Sequence, residues 1–168
     1  MPIKREIKLE SNEIQLEATG EYIFGTQRLS DLVSVIDGRD PKALFNEPNS
    51  NVKSSADLLL ARIPVGTGDI ADRPRGIAIT NDGVRAYVTL ENSGRVALVD
   101  PMVLRQIDTN AETKDIIDPI NLGVDASPRS IVIDDRNEYA YIGDGRMGVI
   151  YVLDINPNSS KYHQVVDD

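Results

Sequence analysis

The sequence predicts an all-β protein built from repeated small sheets. Short apolar runs alternate with turns rich in Gly, Asn and Asp, and one group of runs recurs further along the chain. The clearest group is residues 73–100, which holds three apolar runs separated by two turn signals. Strands of this length, joined by tight turns, indicate antiparallel pairing between sequence neighbours.

Residues 73–100 predict three consecutive strands. The predicted strands are residues 77–79, 85–90 and 96–99. The first turn is Asn-Asp-Gly at 81–83, whose residues tolerate positive φ, and the second is Glu-Asn-Ser-Gly at 91–94. Asp100 ends the unit because Pro101 has no N–H to donate to a strand ladder.

The same pattern recurs downstream without a gap. The matching residues lie 54 positions after their counterparts and are Pro128, Arg129, Ile131, Ile133, Tyr141 and Asp154. A looser copy lies upstream, where Ile14, Leu16 and Gly20 precede Ile77, Ile79 and Gly83 by 63 positions. Repeats of about this spacing are typical of β-propeller blades. The sequence therefore predicts three copies, of which the first is degenerate.

Each copy also has a candidate fourth, outer strand, so the predicted unit is a four-stranded antiparallel blade. The outer strands are expected at 58–65, 116–124 and 161–166, with residues 104–115 as a loop. The whole chain, 1–168, is then one β-propeller segment with blades at about 12–66, 73–125 and 127–168 and a loop insertion at 38–55. Closed propellers have about four to eight blades. We expect this segment to belong to a larger propeller, or to close by self-association through open blade edges.

The amino-acid sequence of the repeat resembles that of a known protein family. The run IPVG at 63–66, followed by RPRGIAITNDGVRAYVTLENSGRVALVD at 73–100, resembles the YVTN-type β-propeller repeat of lactonase-like and surface-layer-type propellers. Tyr-Val-Thr-Leu at 87–90 stands where that family has its signature tetrapeptide, with Leu in place of Asn. The second copy, with Tyr-Ile-Gly-Asp at 141–144, keeps the pattern rather than the letters. The resemblance implies a propeller fold but no particular activity.

Charge and composition limit the classes of partner and the locations that we expect for the chain. The net charge of −9 argues against nucleic acid, whose phosphates need a basic surface. No run approaches the roughly 18 apolar residues of a membrane helix, so membrane insertion is not expected. The chain has no Cys, which removes disulfides and thiolate metal sites but leaves the compartment open. We expect an extracellular, cell-surface or periplasmic location if the chain is part of a longer precursor, and a cytoplasmic one if it is complete.

Arg75 and Arg129 are the candidate ligand-binding residues. They occupy matching positions at the start of the first strand of successive copies, and the first strands of propeller blades line the central channel. Their guanidinium groups are therefore expected at the channel mouth, where they would hold a carboxylate or phosphate. The alternative is a structural pairing with Asp100 and Asp154, which repeat with the same spacing.

Three further patterns favour structural roles. Residues 66–71 match a relaxed G-x-G-x-x-A dinucleotide fingerprint, but Pro74 and the β-run after it leave no room for the required helix. Residues 134–138 carry enough oxygens for calcium without the spacing of a calcium loop. His163 is the only histidine and is expected to face solvent on the last strand. No catalytic residue, metal site or cofactor is predicted.

These observations predict a non-catalytic binding or interaction module that recognises a protein or glycan partner through loops on one face. It would be part of a larger secreted or cell-surface protein. The alternative is part of a propeller enzyme, a lactonase-like hydrolase or a redox-associated propeller, with its site at the central channel. An enzyme requires acids, bases or metal ligands that converge on the inner strands, and only Arg75, Arg129 and turn carboxylates are offered there.

Overall fold

The computed structural model describes residues 14–39, 55–68, 71–110, 112–113 and 117–167. These residues form three antiparallel sheets in chain order, which we call blades 1, 2 and 3. The predicted all-β class is confirmed, and so are the antiparallel units: blades 1 and 3 have four strands, and blade 2 has a path of four with a fifth short strand beside it. Most of the predicted insertion at 38–55 lies outside the described residues.

The strands follow one another along each blade, from the first strand to the outermost. Blade 1 consists of β1 (Leu16–Thr19), β2 (Tyr22–Gln27), β3 (Leu32–Asp37) and β4 (Leu59–Pro64), with a short 3-10 helix at Ser55–Leu58 before β4. Blade 2 consists of β5 (Pro74–Ile79), β6 (Ala86–Leu90), β7 (Arg95–Asp100), β8 (Arg105–Ile107) and β9 (Ile120–Asn121). Blade 3 consists of β10 (Pro128–Ile133), β11 (Tyr139–Asp144), β12 (Ile150–Asp154) and β13 (Val165–Asp167). Within the described part of the chain, no helix has the length and apolar character needed to cross a membrane.

The outer strand of blade 2 differs from the prediction. A single strand was expected at 116–124, but β8 and β9 both pair with β7, at its two ends. The turn at Pro101 returns the chain at once, so that Arg105 pairs with Asp100. β8 reads Arg-Gln-Ile and has no apolar alternation, which is why its sequence did not indicate a strand. Its middle residue, Gln106, is buried and makes paired hydrogen bonds to the backbone of Gly66, with Gly66 N–H donating at 2.7 Å.

The register of the degenerate first copy also differs from the prediction. Leu16 pairs with Gly25, as Ile77 pairs with Val88, so Leu16 is the counterpart of Ile77 and not of Ile79. The true offset at this strand is 61 positions rather than 63. The β1–β2 turn at Gly20 is two residues shorter than the β5–β6 turn, and a difference of two keeps the same side chains on the same face of a strand.

Blade 2 is packed on both faces. Along β6 the side chains alternate: Ala86, Val88 and Leu90 join a core with blade 1, whereas Tyr87 joins a core with blade 3. All four side chains are buried. This pattern explains why β6 reads as a continuous apolar run rather than as an apolar-polar alternation.

The first strands of neighbouring blades approach closely near the axis on which the blades converge. A Cβ atom placed on Gly76 would lie 2.8 Å from the backbone oxygen of Arg129, so only glycine allows β5 and β10 to come this near. The N–H of Gly76 donates to the hydroxyl of Thr89, 2.7 Å away. In blade 3 the two residue types are on the opposite strands: Ser130 of β10 stands at the position of Gly76, and Gly143 of β11 stands at the position of Thr89.

A threonine hydroxyl joins blade 1 to blade 2. Thr26 Oγ1 accepts a hydrogen bond from the N–H of Gln15 at 3.1 Å and donates one to the backbone oxygen of Arg75 at 2.8 Å. Thr26 is buried, whereas Gln15 is exposed and Arg75 is half-buried, so both bonds are partly shielded from water. The bond to Arg75 also fixes the backbone at the position from which that side chain projects.

We expect Thr26→Val to lower the free energy of unfolding by about 0.5–1.5 kcal/mol, because the shape is kept while two partly buried backbone groups lose a hydrogen-bond partner. Thr19→Val, at the half-buried end of β1, is the matched control and should change stability by less than about 0.5 kcal/mol. Urea denaturation followed by circular dichroism measures both. Equal effects of the two substitutions would show that the inter-blade bond contributes nothing.

Candidate functional site

The structure brings Arg75 and Arg129 together. Arg75 lies at the start of β5 and Arg129 at the start of β10. In each strand the pairing register shifts at this point, next to the proline that both copies share, Pro74 or Pro128. Because β5 and β10 lie side by side, both guanidinium groups reach the same end of the inner strands. The two arginines therefore meet at one place in the structure, and the predicted ligand role stays a prediction.

Both arginines contact Glu91, which directly follows β6. Arg129 Nε lies 2.8 Å from Glu91 Oε1, and Arg75 Nη1 lies 3.6 Å from Glu91 Oε2. The side chain of Glu91 is 8% exposed, so the ion pairs form around a largely desolvated carboxylate. Charge-assisted bonds in such surroundings are stronger than those on an open surface.

A third arginine, Arg28, comes from blade 1. Its Nε donates to Glu91 Oε2 at 3.0 Å. Arg28 and Glu91 occupy the same position in their blades, directly after the second strand, and Gly145 is the counterpart in blade 3. We call Arg28, Arg75, Glu91 and Arg129 the arginine cluster. Sequence reasoning missed both residues: Glu91 was assigned to the turn at 91–94, and Arg28 lies in the degenerate first copy, although the two are 63 positions apart.

The predicted structural partners of the arginines are wrong. Asp100 Oδ1 accepts hydrogen bonds from the backbone N–H groups of Met102 and Val103, and thereby caps the turn that follows β7. Asp154 Oδ1 likewise accepts from the N–H of Asn156. A turn aspartate satisfies nearby backbone donors, and among the described residues the carboxylate that the arginines share is Glu91 instead.

A cavity of about 280 Å³ adjoins the arginine cluster on the inner strands. Its lining consists of Gln15, Arg75, Gly76, Ile77, Arg129, Ser130 and Ile131. Arg129 is 48% exposed, compared with 30% for Arg75 and 24% for Arg28. The guanidinium of Arg129 is thus held by Glu91 at one edge while much of its side chain remains accessible.

His163 does not face solvent on a strand, as the sequence had predicted. It lies in the turn before β13 with φ +63°, and its imidazole stacks on Tyr162 with 3.7 Å between ring centroids. Its Nε2 is 3.2 Å from the hydroxyl of Tyr87 in blade 2. Burial, helped by the positive charge of Arg85, lowers the pKa of His163 to about 4. Burial also raises the pKa of Tyr87.

The glycine loop at 66–68 is a structural connection. Gly66 and Gly68 have positive φ, and the N–H of Thr67 donates to Asp72 Oδ2 at 2.9 Å. The described residues after the loop lead directly into β5 and form no helix, so the geometry that binds a pyrophosphate is missing there.

The acidic turn residues cap their own backbone. Asp134 Oδ1 accepts from the N–H groups of Glu138 and Tyr139, and Asp82 Oδ1 accepts from the N–H of Val84. Among the described residues, no group of three or more His, Asp or Glu side chains is placed to hold a metal ion.

Comparison with solved structures supports the propeller fold. The structure is similar to Kuenenia stuttgartiensis hydrazine synthase, with a TM-score of 0.61 and 20% sequence identity over 96% of this chain and 39% of that chain. It is also similar to a 6-phosphogluconolactonase-like protein from Bacteroides uniformis, with a TM-score of 0.56 and 11% identity over 90% of this chain and 40% of that chain.

Both neighbours are propeller-type folds, so the three sheets are blades of a partial propeller. The chain spans about two fifths of the length of each neighbour. No protein-family model matches the sequence, and no curated protein matches it.

We expect Glu91→Gln to lower the free energy of unfolding by about 2–3 kcal/mol, because three arginines would then face one another without the carboxylate. Glu138→Gln is the control, since Glu138 pairs with the exposed Arg136 at 3.7 Å and such pairs contribute little. Chemical denaturation at low salt measures both variants. A loss of stability no larger than that of the control would contradict the role given to Glu91.

We expect the imidazole of His163 to titrate near pH 4 in the folded protein, below its ordinary value of 6.5. The unfolded chain then takes up this proton first, so the stability that neutral His163 contributes is complete above pH 6.5 and is lost as the pH falls towards 4. Wild type should therefore lose stability relative to His163→Gln across this window. Proton NMR of the single histidine checks the pKa, and a value near 6.5 would contradict the buried contact with Tyr87.

Proposed function

We propose that the chain is a non-catalytic propeller module that binds an anionic group, a carboxylate or a phosphate, carried by a partner molecule. The observation that carries the proposal is the convergence of Arg75 and Arg129, 54 positions apart in the sequence, beside one cavity on the inner strands. Arginine presents a planar fork of N–H donors that matches both kinds of anion.

Glu91 gives the cluster its preorganisation. It contacts one edge of the Arg129 guanidinium through Nε, which fixes the direction of the side chain before any ligand arrives. Arg129 also packs against Gly145, where a larger residue would collide with it. A guanidinium that is already ordered loses less entropy when it binds an anion.

The cavity is unsuited to acid–base chemistry. Its lining includes no carboxylate and no imidazole among the described residues, and Glu91 behind it is engaged by the arginines. Among the described lining residues, Ser130 alone carries a hydroxyl, and a serine nucleophile requires an adjacent base. The histidine of the chain contacts Tyr87 and Tyr162 instead. These features favour binding over catalysis.

Calorimetric titration with inorganic phosphate and with succinate, at matched ionic strength, tests the proposal. We expect saturable binding of at least one anion by wild type, and an affinity at least tenfold weaker in Arg129→Gln, because a charge-assisted hydrogen bond is worth about 1.5–3 kcal/mol. Arg129→Lys should retain charge but lose the fork, and should bind with intermediate affinity.

Arg136→Gln is the matched control, since Arg136 belongs to the same blade and is 79% exposed in the β10–β11 turn. It should leave the affinity unchanged. The proposal fails if wild type binds neither anion, or if Arg136→Gln weakens binding as much as Arg129→Gln does.

A further inference from the structure

A second cavity lies between blades 2 and 3. Its volume of about 320 Å³ falls within the roughly 300–1,000 Å³ that is typical of small-molecule sites. Residues of β7, of β9 and of the segment between β8 and β9 line it from blade 2, and His163 lines it from blade 3. Among the described residues, none lines both this cavity and the one beside the arginine cluster. A ligand bound here would therefore be independent of the proposed anion site.

Arg95 and Asn121 provide hydrogen-bond donors to this cavity. They occupy directly opposite positions on β7 and β9, so their side chains lie on the same face of blade 2. Asn121 Oδ1 accepts from the N–H of Gly123 at 3.0 Å, which orients the amide. Within the described part of the chain, neither Asn121 Nδ2 nor the guanidinium of Arg95 has a hydrogen-bond or ion-pair partner. Both groups can therefore donate to a ligand.

Asp118 provides an acceptor to the same cavity. Its Oδ2 accepts from the hydroxyl of Thr113 at 2.7 Å, and its backbone oxygen accepts from the hydroxyl of Thr109 at 2.7 Å, so the carboxylate is held in place. No donor among the described residues contacts Asp118 Oδ1, and no ion pair joins Asp118 to Arg95. The two opposite charges thus line one cavity without neutralising each other by contact.

The charges of the described lining residues cancel. Arg95 is positive, Asp118 is negative, and burial lowers the pKa of His163 to about 4, so its imidazole is neutral at neutral pH. An anionic ligand would be repelled by Asp118 and a cationic ligand by Arg95. Pro119 and Ile120 are buried in the lining and add apolar surface. The lining therefore favours an uncharged ligand that has both polar groups and C–H groups.

Hydroxyl groups on adjacent carbons fit this set of donors and acceptor. A hydroxyl both donates and accepts a hydrogen bond. Two neighbouring hydroxyls can therefore accept from the nitrogen donors of Arg95 and Asn121 while one of them donates to Asp118 Oδ1. A sugar ring carries such hydroxyl pairs, and the C–H groups on its faces can pack on Pro119 and Ile120. A single amide or a single alcohol would leave part of the set unused.

We propose that this cavity binds a neutral sugar residue, with Arg95 and Asn121 donating to two adjacent hydroxyl groups and Asp118 accepting from one of them. The sugar site lies at the boundary of blades 2 and 3, apart from the arginine cluster. It gives the chain a contact with a glycan that does not require an anionic group.

The imidazole of His163 reports on the cavity, because it is the only histidine of the chain and lines the site. Proton NMR at neutral pH follows titration with the methyl glycosides of glucose, galactose and mannose. We expect at least one of them to shift the imidazole signals saturably at millimolar concentrations. Arg95→Gln should weaken this binding roughly tenfold, because hydrogen bonds from a charged group are lost. Its circular dichroism should remain that of wild type.

Arg105→Gln is the matched control, since Arg105 lies on the adjacent strand β8, is exposed and does not line this cavity. It should leave the sugar affinity unchanged, as should Arg129→Gln, so a failure of the anion site is distinguishable from a failure of the sugar site. The proposal is overturned if none of the three glycosides shifts the imidazole, or if Arg105→Gln weakens binding as much as Arg95→Gln does. A shift with inorganic phosphate alone would also overturn it.

Discussion

The ion cluster at Glu91 is the constraint on which the arrangement of the three blades depends. One carboxylate, 8% exposed, contacts an arginine from blade 1, one from its own blade and one from blade 3. Apolar faces alone are non-directional and tolerate sliding. A desolvated carboxylate with three defined partners is directional, because any shift of one blade along its neighbour would leave a buried charge without its contacts.

Specific contacts also fix the backbone of the inner strands near the axis. The hydroxyl of Thr26 in β2 bonds to Gln15, just before β1, and to the backbone of β5, while Gly76 allows β5 and β10 to approach within a distance that no side chain permits. These contacts place the starts of β5 and β10 side by side. Arg75 and Arg129 project from these starts, so the close inner packing and the position of the candidate anion site have one physical cause.

The strands of blades 2 and 3 were predictable because their apolar runs, turn residues and shared 54-residue offset all agreed. The strand β8 was not predictable, since three residues with Gln106 at the centre show no alternation of apolar and polar side chains. The hydrogen bond that holds the buried Gln106 comes from Gly66, 40 positions away. The register of β1 was missed because the first turn is shorter than its counterparts. His163 appeared to be an exposed terminal residue, and only tertiary packing places it against Tyr87.

The site was predicted in part. The repeat spacing placed Arg75 and Arg129 at matching positions of successive blades. It could not identify the carboxylate between them, because composition does not distinguish Glu91 from the aspartates that end the third strands. What distinguishes them is the direction of the backbone: Asp100 points into its own turn, whereas Glu91 follows β6 and points across the blade boundaries. The direction in which each acidic side chain points depends on the folded backbone, so it could not be predicted from the residue types alone.

Double-mutant cycles between Glu91 and each of Arg28 and Arg129 test most directly whether one carboxylate joins all three blades. The quantity is the coupling free energy of each pair, obtained from the unfolding free energies of Glu91→Gln, the arginine→Gln variant and the combination. We expect a coupling of about 0.5–3 kcal/mol for both pairs, as for residues in direct contact. Additive effects for either pair would show that its arginine does not share Glu91 in solution, and would contradict this arrangement of the blades.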